Sequence, residues 1–287
     1  MRAIIGRELR SYYNSAIGYV FAAFILLFVG IYTMAINLKS YVSNFEFSLG
    51  QMSFVYILAI PIITMRMIAE EKRQKTDQLL YSLPMGMTRV VLGKYFAALI
   101  VLAVPVAIIC FYPLILSSYG KVNLLSAYGS IIAFFLLGAS LISVGMFLSS
   151  VTESQVVAAV LSFIAMLINF FISQLANLVS ASSMSSFIAM AVLVVVLSII
   201  IRLLVKSGIF AVIFGLVCEI GLIVMFISSR SSFEGLFPTV MKGISMFDRF
   251  YSFINGVFDI TSVVYFVMVS LVFVFLTIQS LEKRRWN

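Results

Sequence analysis

Histidine is absent from this sequence, charged residues are scarce, and cysteine occurs only twice. Charged residues make up 10% of the chain and hydrophobic residues 63%, which leaves too little polar surface to solvate a globular protein of 287 residues. Cys110 and Cys218 each lie inside an apolar run, so the sequence indicates neither a disulfide framework nor a zinc site. The chain is therefore predicted to be a membrane protein without a bound metal.

The basic residues, which give a formal net charge of +8, are gathered beside the apolar runs. That placement is typical of segments that face the anionic headgroups of a lipid bilayer, and it argues against a nucleic-acid partner. The first ten residues carry charges throughout, and the apolar run that follows them is too long for a cleavable signal peptide. We expect the first span to stay in the mature protein and the chain to be a multi-pass protein of the cell membrane.

Apolar runs recur along the chain at the length that a bilayer requires, since a hydrocarbon core of about 30 Å needs roughly 20 apolar residues per helix. The runs lack the period-two alternation of a membrane strand, which predicts an all-α polytopic fold. The eight candidate spans are 16–36, 52–65, 90–116, 127–148, 155–176, 187–204, 208–228 and 261–281. In this scheme the segment 187–228 is an extra helical hairpin added to a six-span core.

Lysine and arginine are unevenly distributed between the two ends of these spans. The side that carries both chain termini holds 14 of the 19 basic residues. Because positive residues concentrate on the cytoplasmic side, both termini are predicted to be cytoplasmic. Three segments outside the spans stand out: a cytoplasmic interface helix at 1–15, a cytoplasmic loop at 66–89, and an extracytoplasmic re-entrant segment at 229–260.

The loop 66–89 concentrates charge of both signs in a chain that has little charge elsewhere. The second half of this loop has the pattern of a short helix: a capping residue, an acid in the first turn, an apolar edge and a terminating proline. The residues of that helix are Thr76, Asp77, Leu79, Leu80, Leu83 and Pro84. Such a helix is suited to docking a soluble partner; the alternative is a solvated loop whose basic residues only set the topology.

Motifs in three parts of the chain carry a family resemblance. They are Arg7-Glu8-Leu9 and Gly18-Tyr19 near the start, Glu70 to Thr76 with Leu79, Leu80, Pro84, Gly93 and Lys94 in and after the loop, and Phe250, Phe253, Gly256, Val257, Asp259, Tyr265 and Phe266 near the end. With these motifs the chain resembles the ABC-2-type permeases, in particular the gliding-motility-type subfamily, over residues 1–175 and 240–287. It departs from the family pattern at Lys75, where glycine is common, and in the 187–228 hairpin, which many relatives lack.

The resemblance implies a type V exporter-like transmembrane domain, in which two permease halves pair and each docks its first cytoplasmic loop onto an ABC ATPase. ATP and Mg²⁺ would bind that separate ATPase, and this chain would have no catalytic residues or cofactor of its own. The second half would be another copy or a sister permease, and some relatives add an extracytoplasmic auxiliary subunit. The expected ATPase-coupling residues are Glu70, Glu71, Lys72, Arg73, Thr76, Asp77, Leu79, Leu80, Leu83 and Pro84.

Glu219 lies near the middle of the seventh candidate span, where a carboxylate is costly and is a functional candidate by default. It would either line a translocation path or form hydrogen bonds inside the bundle, and the same alternatives apply to Asn169 and Gln174 in the fifth span. An ion-coupled secondary carrier with Glu219 as its proton site is the alternative function. The almost uncharged spans favour a lipid-like, amphipathic or peptide substrate.

Overall fold

The computed structural model describes residues 1–76, 86–180, 182–205 and 208–286. The described residues are almost entirely helical, as the all-α prediction requires. The α-helices are α1 (Arg2–Asn14), α2 (Ile17–Tyr32), α3 (Phe45–Met52), α4 (Tyr56–Met67), α5 (Ala69–Arg73), α6 (Met87–Ile109), α7 (Phe111–Ser117), α8 (Leu124–Val151), α9 (Gln155–Leu178), α10 (Ser183–Val205), α11 (Gly208–Ser228), α12 (Leu236–Ile244), α13 (Met246–Ile254) and α14 (Ile260–Trp286).

Six helical stretches in the described residues are long and apolar enough to cross a membrane, which confirms a multi-span protein. They are Ile17–Lys39, Phe45–Met67, Met87–Ser117, Leu124–Val151, Gln155–Leu178 and Ile260–Arg284. The chain divides into two compact units. Unit 1 contains Met1–Ile168 and Met246–Asn287, and unit 2 contains Asn169–Ser245.

The second span begins earlier than the sequence predicts. The expected start was residue 52, but the helical stretch starts at Phe45 and passes through a short 3₁₀ turn at Ser53–Val55 before α4. Glu46, Ser48 and Ser53 in this first part are buried inside unit 1, so they face other protein groups and not lipid. One consequence is that Glu46, expected in an outer loop, lies in the first turn of this span with only 3% of its surface exposed.

Close packing of α4 against α8 forms the centre of unit 1. The Tyr56 and Phe134 rings stack with centroids 4.3 Å apart, and the Tyr56 hydroxyl donates a hydrogen bond to the Phe134 carbonyl. Two glycines of α8 allow this approach: a Cβ added at Gly138 would lie 3.0 Å from the Tyr56 hydroxyl, and one added at Gly145 would lie 2.8 Å from Thr64 Cβ. Lipid provides no hydrophobic driving force for association between membrane helices, so the helices depend on close packing, which small residues permit.

Proline interrupts the third span. The helix is broken at Cys110, between α6 and α7, and Pro113 lies four residues after Ile109, the last residue of α6. A proline has no amide proton and its ring clashes with the carbonyl four residues earlier, which accounts for a break at this position.

In unit 2, α10 and α11 lie antiparallel, in the region of the predicted hairpin. Near one end the Phe187 and Phe226 rings are 4.6 Å apart, and further along a Cβ added at Gly215 would lie 2.8 Å from Ser198 Oγ. The described apolar stretches of these helices, Ser183–Ile199 and Val212–Ser228, are shorter than the six spans. Whether they bring the total to eight remains a prediction, and the link at 206–207 lies outside the described residues.

Within unit 1, α13 runs antiparallel to α8 and packs its aromatic face against it. Met246 Sδ lies 3.7 Å from Ser140 Oγ, whereas at the other end of α13 the Ser130 hydroxyl donates to the Phe253 carbonyl at 3.1 Å. Ser140 is 16 residues into α8, about 24 Å along a helix that rises 1.5 Å per residue. The start of α13 is therefore level with the interior of a candidate span; that the segment 229–260 is re-entrant stays a prediction.

Candidate functional site

The basic end of unit 1 brings together four elements: α1, the junction of α4 and α5, the start of α6, and the end of α8. Three of the motifs that carry the family resemblance meet here, although they are far apart in the sequence. They are Arg7-Glu8, Glu70-Glu71 and Gly93-Lys94. This meeting point is the candidate functional site.

Lys94 forms the centre of the site. Only 3% of its side chain is exposed, and its Nζ lies 3.1 Å from Glu8 Oε1 and 2.9 Å from Glu71 Oε1. The same Nζ donates a hydrogen bond of 2.8 Å to the Met67 carbonyl at the end of α4. Arg7 closes the arrangement, with its Nη2 at 3.2 Å from Glu8 Oε1 and 2.8 Å from Glu71 Oε1. We call these four charged residues, Arg7, Glu8, Glu71 and Lys94, the ion cluster.

Charge balance makes the ion cluster tolerable at a buried position. Two cations face two carboxylates, so no net charge is left away from water, and each carboxylate oxygen involved accepts bonds from both cations. Removing one member would leave its partner buried without compensation, which is strongly unfavourable. The arrangement therefore fixes the relative positions of the three elements that supply it.

Gly93 brings α1 within reach of the ion cluster. A Cβ added at Gly93 would lie 2.9 Å from Ile4 Cγ2 and 3.1 Å from Ile4 Cβ, closer than ordinary contact. Any larger residue at position 93 would push α1 away from α6. The glycine-lysine pair therefore has two linked roles, since the glycine admits the helix that the lysine then binds through Glu8.

The short helix α5 is attached to the end of α8. Ser149 Oγ accepts hydrogen bonds from the backbone amides of Ile68 and Ala69, at 3.3 and 3.1 Å. Lys72 is 5% exposed, and its Nζ donates to the Ser150 carbonyl. These contacts satisfy backbone groups at two helix ends and hold the first turn of the loop 66–89 against the core.

A cleft of about 760 Å³ lies between α1 and the α4–α5 junction. Arg66 lines it, and its Nε is 3.8 Å from Glu70 Oε2, which is an ion pair too long for a hydrogen bond. Tyr12 forms part of the opposite wall. Burial, and then the neighbouring Glu8 carboxylate, raise the pKa of the Tyr12 phenol well above its usual range, so its hydroxyl stays protonated and can act as a hydrogen-bond donor.

Lys75 has a left-handed backbone, with φ of +56°. Side chains other than glycine and asparagine adopt this conformation at a cost, because the Cβ approaches the following carbonyl. This is the position at which the sequence departs from the glycine that the resemblance leads us to expect. The chain thus keeps a turn that suits glycine while carrying lysine.

The predicted coupling residues differ in their surroundings. Glu71 and Lys72 point inward and have partners in unit 1, Glu70 is partly exposed beside Arg66, and Arg73 is exposed. Thr76 is half-buried and donates to the Glu71 carbonyl at 3.3 Å. Outside the described residues are Asp77, Leu79, Leu80, Leu83 and Pro84.

The candidate translocation-path residues are not brought together by contacts in the described residues. Asn169 donates from Nδ2 to the Ile244 carbonyl at 3.2 Å, which joins α9 to α12 inside unit 2. Gln174 is exposed on α9. Glu219 Oε1 is buried and, among the described residues of the chain, no hydrogen-bond partner reaches it.

Glu46 is a candidate that the sequence did not reveal. Its Oε2 is buried without a hydrogen-bond partner among the described residues, and Gly50, one turn later on the same side of α3, approaches Ile254 of α13. In the sequence, a single acidic residue near the start of an apolar stretch does not indicate that its side chain is buried. Only the position of α13 against α3 shows that this carboxylate is enclosed.

These features define a class of protein: a multi-span helical membrane protein whose basic end is organised by an ion cluster. The whole-chain comparison names the family, because residues 4–286 match the model of the ABC-2 family transporter proteins. The chain belongs to the ABC-2 transporter family and is a membrane-embedded permease component of an ABC transporter. No curated protein and no solved structure matches it.

Proposed function

We propose that this chain is the permease subunit of an ATP-driven exporter and that the segment 66–89 docks a separate ABC ATPase. The observation that carries the proposal is the attachment of α5 to the core. A docking element transmits force only if it is held by the spans, and α5 is bonded to the end of α8 through Ser149 and the Ser150 carbonyl. ATP and Mg²⁺ bind the partner ATPase in this proposal.

The charges of α5 divide into an inward set and an outward set. Glu71 and Lys72 are engaged inside the subunit, whereas Arg73 and Lys75 are exposed and available to a partner surface. Exposed charges at a rim steer association and select partners more than they add affinity. The proposal therefore assigns recognition of the ATPase to Arg73 and Lys75, together with the helix expected after them.

The rest of the proposal follows the family and the charge distribution. Both termini and the ion cluster face the cytoplasm, the protein resides in the cell membrane, and it pairs with a second copy or a sister permease. An extracytoplasmic auxiliary subunit is compatible with this arrangement. The substrate class that fits the weakly charged spans is lipid-like, amphipathic or peptide. The secondary-carrier alternative rests only on Glu219 and lacks support from the family.

Co-purification tests the docking proposal. The tagged chain is expressed in its native membrane, extracted in detergent, and the recovered ATPase is measured by Mg²⁺-dependent ATP hydrolysis. We expect the double variant Arg73→Glu, Lys75→Glu to recover less ATPase, because both exposed charges are reversed. Lys121→Glu is the matched control, since Lys121 is also exposed but lies between the third and fourth spans, on the side predicted to face outward.

Two results would count against this proposal. If the wild-type chain recovers no ATPase, the docking proposal fails. If the double variant recovers as much ATPase as Lys121→Glu, the exposed charges of this loop do not form the docking surface. Glu71 is left unchanged in this test, because its carboxylate is engaged in the ion cluster and is not part of the exposed charge that the test reverses.

A further inference from the structure

Resting on the proposed docking of an ATPase at 66–89, we propose that Lys94 is a positioning residue that makes α1, α5 and the start of α6 move as one body when the ATPase acts. The ion cluster is the physical link. In this view α1 transmits force between the ATPase-facing segment and the third span, in addition to lying at the interface.

Each of the three partners of Lys94 belongs to a different helix. Glu71 belongs to α5, Glu8 belongs to α1, and the Met67 carbonyl is the last backbone acceptor of α4. A single ammonium group, 3% exposed, therefore binds three elements at distances between 2.8 and 3.1 Å.

Burial makes this link stiff. Exposed ion pairs exchange freely with water and constrain little, but a buried pair cannot separate without leaving a desolvated charge behind. Glu8 and Glu71 have only 12% and 17% of their side chains exposed. If α1 separated from α5, these two carboxylates would lose their partner while still largely shielded from water. Displacing α5 consequently displaces α1 and α6 as well.

Apolar packing supports the same conclusion independently of charge. The close approach of Ile4 to Gly93 places α1 directly on α6, next to the lysine. Arg7 is 59% exposed, so it closes the cluster from the water side and contributes less to its rigidity. The essential members are therefore Lys94, Glu8 and Glu71.

The experiment separates binding from coupling. Wild-type chain, Lys94→Met and a neutral-cluster variant (Glu8→Gln, Glu71→Gln, Lys94→Met) are compared for recovery of the ATPase and for the change in ATP hydrolysis on complex formation. The neutral-cluster variant leaves no unpaired buried charge, so it keeps the fold if Lys94→Met does not. We expect both variants to bind the ATPase at the wild-type level and to lose the permease-dependent change in hydrolysis.

A distance measurement reports on the link itself and needs no ATPase. Spin labels are attached at Arg10→Cys on α1 and Arg73→Cys on α5, both exposed, in a chain with Cys110→Ser and Cys218→Ser. Pulsed EPR should give one narrow distance distribution with Lys94 present and a broadened one in both cluster variants. Glu153→Gln is the control, because it breaks a 2.7 Å ion pair with Arg284 that joins other elements.

The outcomes are distinguishable. Unchanged distances in both cluster variants, or a wild-type hydrolysis response in both, would overturn the role of Lys94. If the wild-type chain recovers no ATPase, the docking proposal fails, while the EPR comparison still decides whether the ion cluster fixes α1 to α5. Broadening in Glu153→Gln to the same degree would also overturn the proposal, since any ion pair at this end would then have the same effect.

Discussion

Replacing Gly145 with alanine is expected to destabilise the contact between α4 and α8. The added Cβ would lie 2.8 Å from Thr64 Cβ and Cγ2, about 0.6 Å inside ordinary van der Waals contact. Alanine favours a helix over glycine by roughly 1 kcal/mol, whereas overpacking a tight core costs roughly 1–3 kcal/mol. The two effects oppose each other, and because the neighbour is backbone-fixed Cβ rather than a flexible chain end, we expect a net loss of about 1 kcal/mol or more.

Thermal unfolding in detergent measures this loss. Gly6→Ala is the matched control, because Gly6 lies in α1 with no heavy atom within 4 Å of its added Cβ, so only the helix-propensity gain applies. Thr64→Gly combined with Gly145→Ala removes the colliding atoms and should recover part of the loss relative to the sum of the single variants. If Gly145→Ala is as stable as Gly6→Ala, the close contact of α4 and α8 is not as tight as the structure indicates.

Three other substitutions test single features. Lys75→Gly should raise the unfolding temperature relative to Lys75→Ala, because glycine relieves a left-handed strain worth roughly 1–2 kcal/mol and alanine does not; equal stability would show that the turn is not strained. Asp259 accepts bonds from Thr261 N and Ser262 N at 2.9 and 3.2 Å, and the Ser262 hydroxyl, then the backbone amides, lower the pKa of its carboxyl. A depressed pKa adds stability that is present above the pKa of the unfolded state, about 4, and is lost as the pH falls below that value. Asp259→Asn should therefore flatten the acid limb of a curve of stability against pH. An unchanged acid limb would contradict this. Glu46→Gln should leave thermal stability equal or higher, since one carboxylate oxygen is buried without a partner among the described residues, and a clear loss would show that the charge of the carboxylate supports the fold there.

The sequence predicted the spans well and their contacts poorly, for a physical reason. Length and apolar composition are enough to locate a membrane helix, so five of the six long helical stretches begin within a few residues of their expected starts. The second span is the exception because it is buried by protein. A helix surface that faces lipid must be apolar, but a helix enclosed by other helices can contain polar residues such as Glu46 and Ser53. Hydropathy alone does not distinguish such a helical segment from a loop.

The candidate site shows the same limit. Sequence motifs identified Glu71, Lys72 and Lys94 as family positions, and Glu71 and Lys72 were expected among the residues that couple to the ATPase. The structure turns Glu71 toward Lys94 and Lys72 toward the Ser150 carbonyl, and both lysines are at most 5% exposed. Charge in a sequence indicates exposure only when no partner exists, and the partners here lie more than 20 residues away along the chain.

The position of α8 determines how far a movement at the basic end can reach. Of the most apolar stretch of each span, 72% of the residues are buried in both Phe45–Met67 and Leu124–Val151, compared with 22% in Ile17–Lys39. The attachment of α5 to Ser149 and Ser150 therefore connects the docking loop to one of the two most enclosed spans, while Lys94 connects it to the third. Close-packed interiors transmit displacement because they have little free volume to absorb it. A displacement of α5 should thus shift α8 and α6 together, and α13, which packs on α8, should follow at the opposite end of unit 1.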